Sequence, residues 1–364
     1  MRVLFATPYN DLAGGINQWA KHLISYYGEI VSDVDIELLP MNSHQLSVSN
    51  SVYKRIINGI LTYSKVINNL KKALSISSFD ILHIASSASI SLAKDYLMIK
   101  IAKKHNVKTV IHFHFGRIPE LAKKNNWEWK LLTKIVKLAD VVIVIDKASY
   151  DTLSKHNHKN IELLPNPLAP TVEILIENFK NHAKVTGKIV FVGHCIATKG
   201  VYELVKSCKD IEKIELKLIG PINENVKNDL INISEGMEWL KITGKLPFEE
   251  VIKEMITCNV FVLPTYTEGF PNVIIESMAC GCPIITTPVG AIPEMLDMNT
   301  DTPCGICVEV KNIDDLKASI IRVLEDVSLA NELSERAQRR VRNEYRIDKV
   351  WNKLIEIWNK VLDL

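Results

Sequence analysis

From one end of the chain to the other, short apolar runs alternate with stretches of helical period. That alternation constrains the fold most. A strand buried on both faces reads as an unbroken apolar run, and strands separated by helices pair in parallel. The first series is Val3–Ala6, Asp35–Leu39, Ile81–Ile84, Thr109–His112 and Val141–Ile145. The second is Lys188–Val192, Glu215–Ile219, Ile242–Thr243, Val260–Leu263, Ile284–Thr286 and Cys307–Val308. Two series predict two α/β units, each a Rossmann-like parallel sheet, and 364 residues suit two domains. The boundary is expected at Leu163-Leu-Pro-Asn-Pro167, whose two prolines interrupt regular structure, followed by a polar stretch Glu173–Lys188. From about Leu329 to Leu364 the chain is helical by period. Val350, Trp351, Leu354, Ile355, Trp358 and Val361 form an apolar stripe there that needs a surface.

With 47% hydrophobic and 24% charged residues the chain is globular, which excludes disorder, collagen and coiled coil as descriptions of the whole. The formal net charge of +2 provides no global field to recruit nucleic acid. The apolar stretch ahead of Pro8 is too short for a secretory signal, and no run approaches the roughly 18 residues of a membrane span. The expected location is cytoplasmic. Seven cysteines without a secretion signal read as reduced thiols. Cys280/Cys282 and Cys304/Cys307 have two readings: four thiolates for zinc, or small hydrophobes near strand ends.

Three segments carry candidate chemistry. Gly14-Gly15 precedes a helical stretch, so backbone can approach a ligand and helix-terminal N–H groups can face an anion. It is not Gly-x-Gly-x-x-Gly, which counts against a dinucleotide. In the second series, Lys188–Val192 runs into Gly193-His194 and then Lys199-Gly200, placing two cationic side chains where a phosphate could sit. The third segment runs from Val260 through Pro264 and Glu268-Gly-Phe-Pro-Asn272 to Glu276 and Pro283. Here a buried strand ends, a glycine turn carries Glu268, and Pro271 suits the start of a helix bearing Glu276. The result is an anion-seeking helix start between two carboxylates, each available to hydroxyl groups.

With these motifs the chain resembles the retaining GT-B glycosyltransferases of the family-4 type, over essentially its whole length. The Glu268–Glu276 segment and Pro288-Val-Gly-Ala-Ile-Pro-Glu294 are the most specific parts. The resemblance implies two Rossmann-like domains facing across a cleft. Residues 1–168 plus a crossover helix 346–364 would form the acceptor side, and 169–345 the nucleotide-sugar donor side. It further implies that Glu276 bonds the donor ribose and Glu268 the sugar hydroxyls near the reacting carbon. The backbone of Gly269, Phe270, Pro271 and Asn272 would hold sugar and diphosphate, Lys199 the phosphates, and Leu246 the base. Gly14-Gly15 would be the amino-terminal glycine loop, and His114 the histidine facing the donor sugar. His112 and His114 share a strand face, so either fits that last role. Closure of the domains would bring the glycine loop and the histidine onto the donor.

The family usually has arginine where His194 stands here. Since histidine ordinarily titrates near 6.5, donor affinity is expected to weaken as pH rises through about 6 to 8. No metal-ligand cluster accompanies these motifs, so no metal or other cofactor is expected. The implied reaction moves a hexose-type sugar from a nucleoside diphosphate, UDP favoured over GDP, to a hydroxyl of a saccharide or lipid-linked saccharide. Configuration would be retained, in surface-polysaccharide synthesis. Basic stretches with aromatics, Tyr53–Lys72 and Lys123–Lys137 with Trp127 and Trp129, have two readings: a face for an anionic membrane at the inner leaflet, or ordinary solvated helix faces. Rival functions are a nucleotide-sugar epimerase of the same architecture and a non-catalytic nucleotide-sugar-binding subunit.

Overall fold

The computed structural model describes residues 1–10, 15–41 and 52–364, with the side chains of 52–61 outside the description. The chain divides into two units, Met1–Asn166 with Val350–Leu364, and Pro167–Lys349. The first boundary falls just before Leu168 because that residue and Ala169 are buried in the second unit's core.

In the first unit, β1 (Arg2–Thr7), β2 (Asp35–Pro40), β3 (Ile81–Ser86), β4 (Lys108–Phe113), β5 (Val141–Val144) and β6 (Ile161–Leu163) form one parallel sheet. Its order is β2-β1-β3-β4-β5-β6. Side chains alternate between two covered faces, so Leu4, Leu82, Ile111 and Val142 all join a core to which the flanking helices contribute Leu70, Ile99 and Leu132. β6 escapes the apolar pattern because it is an edge strand with a single buried residue. The stripe on the helix Ile347–Leu362 finds its surface here: Trp358 is fully buried and its Nε1 donates to His83 Nδ1 at 3.0 Å, while Trp351 packs on the rings of Tyr26 and Tyr27.

The second unit repeats the plan with β7 (Lys188–Val192), β8 (Glu215–Ile219), β9 (Leu240–Gly244), β10 (Val260–Leu263), β11 (Ile284–Thr286) and β12 (Ile306–Cys307). All are parallel, in the order β12-β11-β10-β7-β8-β9.

Three expectations need correction. Residues Pro170–Phe179 of the supposed polar stretch form a helix, because Val172, Leu175 and Ile176 sit at helical spacing and pack on the second core. The carboxyl-terminal helix is not continuous. Val327–Arg340 passes through a π-helical turn, Val341–Tyr345, and breaks at an extended Arg346 before Ile347–Leu362 begins. At the break the Tyr345 carbonyl accepts from Leu168 N at 2.6 Å instead of continuing a helix, and Arg346 pairs with Glu173 and Asp348. Of the two tryptophans in the Lys123–Lys137 stretch only Trp127 is exposed; Trp129 belongs to the core.

Six of the seven cysteines are buried and Cys307 is half-buried; all are free thiols. Among the described residues no group of three or more His, Cys, Asp or Glu side chains is placed to hold a metal ion. An Asp-x-Asp does occur, Asp33-Val34-Asp35, but at the entry to β2, where Asp35 pairs with Arg2. No helix among the described residues is long and apolar enough to cross a membrane.

Candidate functional site

The second sheet changes direction between β7 and β10. The chain leaves β7 for β8 and β9 on one side and returns to β10 on the other. A parallel sheet has a crevice outside its carboxyl ends at such a point. There lies a cavity of about 400 Å³, walled by Val192, Gly193, His194, Lys199, Leu263, Glu268, Pro271, Asn272, Val273 and Glu276. Residues widely separated in sequence meet there because each follows a strand at the same sheet edge.

Lys199 ends a single 3-10 turn, Ala197–Lys199, and Gly200 then takes a left-handed φ of +72°. A Cβ at Gly200 would stand 2.0 Å from the Pro264 carbonyl oxygen, so only glycine lets this turn lie against the end of β10. The contact is reinforced from the other side: Tyr266 N and Thr265 Oγ1 both donate to the Thr198 carbonyl, at 2.9 and 3.3 Å. So stapled, the two loops bring the Lys199 ammonium onto the Glu268 carboxylate in a partly buried ion pair. A second glycine, Gly290, leaves room for the Glu268 carbonyl, which its Cβ would approach to 2.2 Å, and Ala291 N donates to Gly269 O.

Glu276 occupies the second turn of the helix Asn272–Ala279, which starts at the cavity wall after Pro271. Burial pushes its carboxyl up to about 7. Among the described residues no hydrogen bond or ion pair offsets the lost water, so the carboxyl keeps its proton to higher pH than an ordinary glutamate. The early amides of the same helix add positive potential at the wall. His194 is exposed at the mouth.

The remaining sequence candidates lie elsewhere. Phe270 packs on the core with its ring 6.3 Å from Tyr345, and Leu246 packs on that core from the loop after β9; neither walls the cavity. Gly15 opens the helix Gly15–Glu29 of the first unit, while Gly14 lies outside the described residues. His114 follows the end of β4, held by His114 N donating to Ser86 O at 3.0 Å. His112 is fully buried inside the strand, and the two rings stack at 3.9 Å, on one face as their spacing requires. His83 and Trp19 complete an aromatic stack that the sequence did not single out: Trp19 meets His112 and His114 edge-on, and His83 lies 5.6 Å from His112. Burial pushes His114 down to about 3, and burial together with the neighbouring imidazoles holds His83 and His112 well below the usual histidine range. These are neutral rings.

A sheet-edge cavity carrying one lysine, two glutamates and a helix start presents a cation and free amides beside carboxylates. Two family models match the chain. The model for glycosyl transferases group 1 matches residues 175–340, and that for glycosyltransferase family 4 matches residues 37–171. An uncharacterized glycosyltransferase of Methanocaldococcus jannaschii is 24% identical across 100% of this chain and 98% of its own. The capsular polysaccharide biosynthesis glycosyltransferase CapM of Staphylococcus aureus is 30% identical over 48% of this chain and 46% of its own. The Anabaena protein HepE, solved with UDP, has the same fold, with a TM-score of 0.70, 14% identity and coverage of 99% and 100% of the two chains. The chain belongs to the family-4 type of GT-B glycosyltransferases, and is a transferase.

Proposed function

We propose that the protein moves a hexose-type sugar from UDP to a hydroxyl of a saccharide or lipid-linked saccharide, with retention and without a metal, in surface-polysaccharide synthesis. The observation that carries this reading is the single cavity shared by Lys199, Glu268 and Glu276. UDP bound to HepE and the capsular role in the name of CapM support the choice of donor and pathway class.

In this reading the Glu276 carboxyl holds the ribose hydroxyls. Lys199 leaves Glu268 for the diphosphate, which frees Glu268 for the sugar hydroxyls. The anomeric carbon–oxygen bond breaks with its electron pair going to the diphosphate, whose growing charge is met by Lys199, His194 and helix-terminal amides. The acceptor oxygen bonds the anomeric carbon on the face the leaving group vacates, and its proton passes to a departing phosphate oxygen. His114, neutral, serves as a hydrogen-bonding group toward the sugar rather than as a charge.

Thermal shift with UDP, GDP, ADP, CDP and NAD, with and without chelator, tests the donor. A ligand at a hundredfold over its Kd stabilises by about 2.7 kcal/mol. A shift selective for UDP that survives chelator is expected; a shift with NAD alone, or none, overturns the reading. Product analysis then separates sugar on an acceptor, with its anomeric configuration, from an isomerised donor or mere binding.

A further inference from the structure

The first sheet also changes direction, between β1 and β3, and it too has a cavity at its carboxyl edge, of about 210 Å³. Strand ends, two helices and the start of a third wall it, with Met41, Tyr63, Val66, Ser87, Ser91 and Lys94 among its residues. Nothing in the donor reading uses it.

Lys94 is its unusual member. Only 6% of the side chain is exposed, and its charge is balanced by the fully buried Asp95 at 2.9 Å. That contact is not an aligned hydrogen bond, since Asp95 Oδ1 has no hydrogen-bond partner, whereas Oδ2 accepts from Ser86 Oγ at 2.6 Å. The other neighbour of the ammonium is the Met41 thioether, at 2.8 Å. An ammonium carries three donors, and a thioether is a weak acceptor. A buried cation with so little hydrogen bonding is costly unless a ligand oxygen completes it.

The loop before Lys94 is built for the same cavity. Ala88 and Ser89 are both left-handed, with φ of 69° and 60°, a conformation that side chains with a Cβ adopt at a cost. Glu128 holds it by accepting from Ser89 N at 2.7 Å and from Arg117. This strained turn sets the Ser87 and Ser91 hydroxyls 3.4 Å apart at the wall. Burial and Asp95 keep the Tyr63 phenol protonated, and Met41 and Val66 provide apolar surface.

We propose that this cavity receives one neutral monosaccharide unit of the acceptor, with Lys94 donating to a ring hydroxyl. The internally neutral Lys94–Asp95 pair selects hydroxyls over anions, the serines and Tyr63 bond further hydroxyls, and the apolar wall covers a C–H face. The volume lies below the roughly 300 Å³ at which drug-sized ligand pockets begin, so it suits one ring rather than a chain. Assignment to the acceptor rests on the glycosyl-transfer reading above.

The test is saturation-transfer NMR on the full chain with UDP present. The neutral probes are the methyl glycosides of glucose, mannose, galactose and N-acetylglucosamine; the charged ones are methyl glucuronide and glucose 6-phosphate. At least one neutral glycoside should bind alongside UDP. Its affinity should fall about tenfold or more in Lys94→Met, the cost of a hydrogen bond to a charged group. Ser87→Leu changes an exposed residue at the wall, leaves the ion pair intact, and should also abolish binding. The UDP shift should be the same in both variants. Binding only of charged probes, binding unchanged in Ser87→Leu, or no binding of any neutral glycoside overturns the proposal. Loss of the UDP shift in the unaltered protein refutes the donor reading instead, and the glycoside arm still decides the cavity.

Discussion

Two parallel sheets of the same plan place a cavity at the same topological position, and they use it differently. In the second unit, Lys199, Glu268 and Glu276 face the cavity: a partly buried ion pair, and a carboxyl with no hydrogen-bond or ion-pair partner among the described residues. In the first unit the cavity meets Lys94 with its charge already neutralised by the buried Asp95, and the histidines of that unit are held in the neutral form. The topology supplies a crevice, but the chemistry depends on whether charge there is exposed to exchange or neutralised in place. Reactions that build charge on a diphosphate need the first kind.

The comparison breaks most readily at Lys199. Lys199→Met should lower kcat by about a hundredfold to a thousandfold, the range seen when one preorganised donor to developing negative charge is lost. Thermal stability should fall as well, because the pair is only 25% and 13% exposed and its removal leaves Glu268 without a counter-charge, so turnover is compared at a temperature where both proteins are folded. A variant retaining near-normal turnover would move catalysis away from this unit. Next in size is Trp358→Phe in the first unit. It removes the donor to the buried His83 Nδ1, which costs about 1–3 kcal/mol, and denaturant unfolding should register that loss while UDP binding by the second unit stays unchanged.

The two units should also respond to pH with opposite signs. Below about pH 6.5 an unfolded chain protonates His83, His112 and His114, whereas the folded unit resists until far lower pH. Stability carried by these depressed histidines is therefore present above 6.5 and lost as pH falls, each contributing up to about 1.4 kcal/mol per pH unit. Glu276 behaves the other way. Its folded value of about 7 lies above the ordinary carboxyl range, so stability linked to it is present at low pH and lost as pH rises through 7. Unfolding monitored in each unit separately, by Trp358 in the first and by a label in the second, should show the first unit failing first in acid; simultaneous loss would argue that the histidine stack carries no such linkage.

What could be read from the sequence divides along the same line. The second-unit site was legible because strand, proline, glycine turn and helix start lie within one short segment from Val260 to Glu276, and local chemistry alone places both glutamates at one sheet edge. Central strands were legible for a similar reason: burial on both faces leaves an apolar run. Edge strand β6 and the helix Pro170–Phe179 were not, since one has a single buried residue and the other mixes Glu173, Glu177 and Asn178 among its apolar groups and buries only Val172 fully. The first-unit features depend on distant pairings. His83 meets Trp358 across 275 positions, and Lys94 meets Met41 across 53, so no window of sequence contains them. A lysine followed by an aspartate inside a helix is unremarkable until burial removes both from water.

The smallest effect concerns His194, and it sharpens the donor site most. Arginine would place a permanent charge and a forked donor at the cavity mouth, where an exposed histidine stands. Glu276 governs the pH dependence instead. Raised to about 7, it becomes a full carboxylate, able to accept from two ribose hydroxyls, only as pH rises, so its contribution to affinity grows through that value. Calorimetric titration of UDP from pH 5.5 to 8.5 should show affinity rising by about severalfold in the unaltered protein and losing that rise in Glu276→Gln, while His194→Arg should tighten binding at every pH. Identical profiles in all three proteins would mean that neither group touches the nucleotide, and the anion would then be held by Lys199 and the helix amides alone.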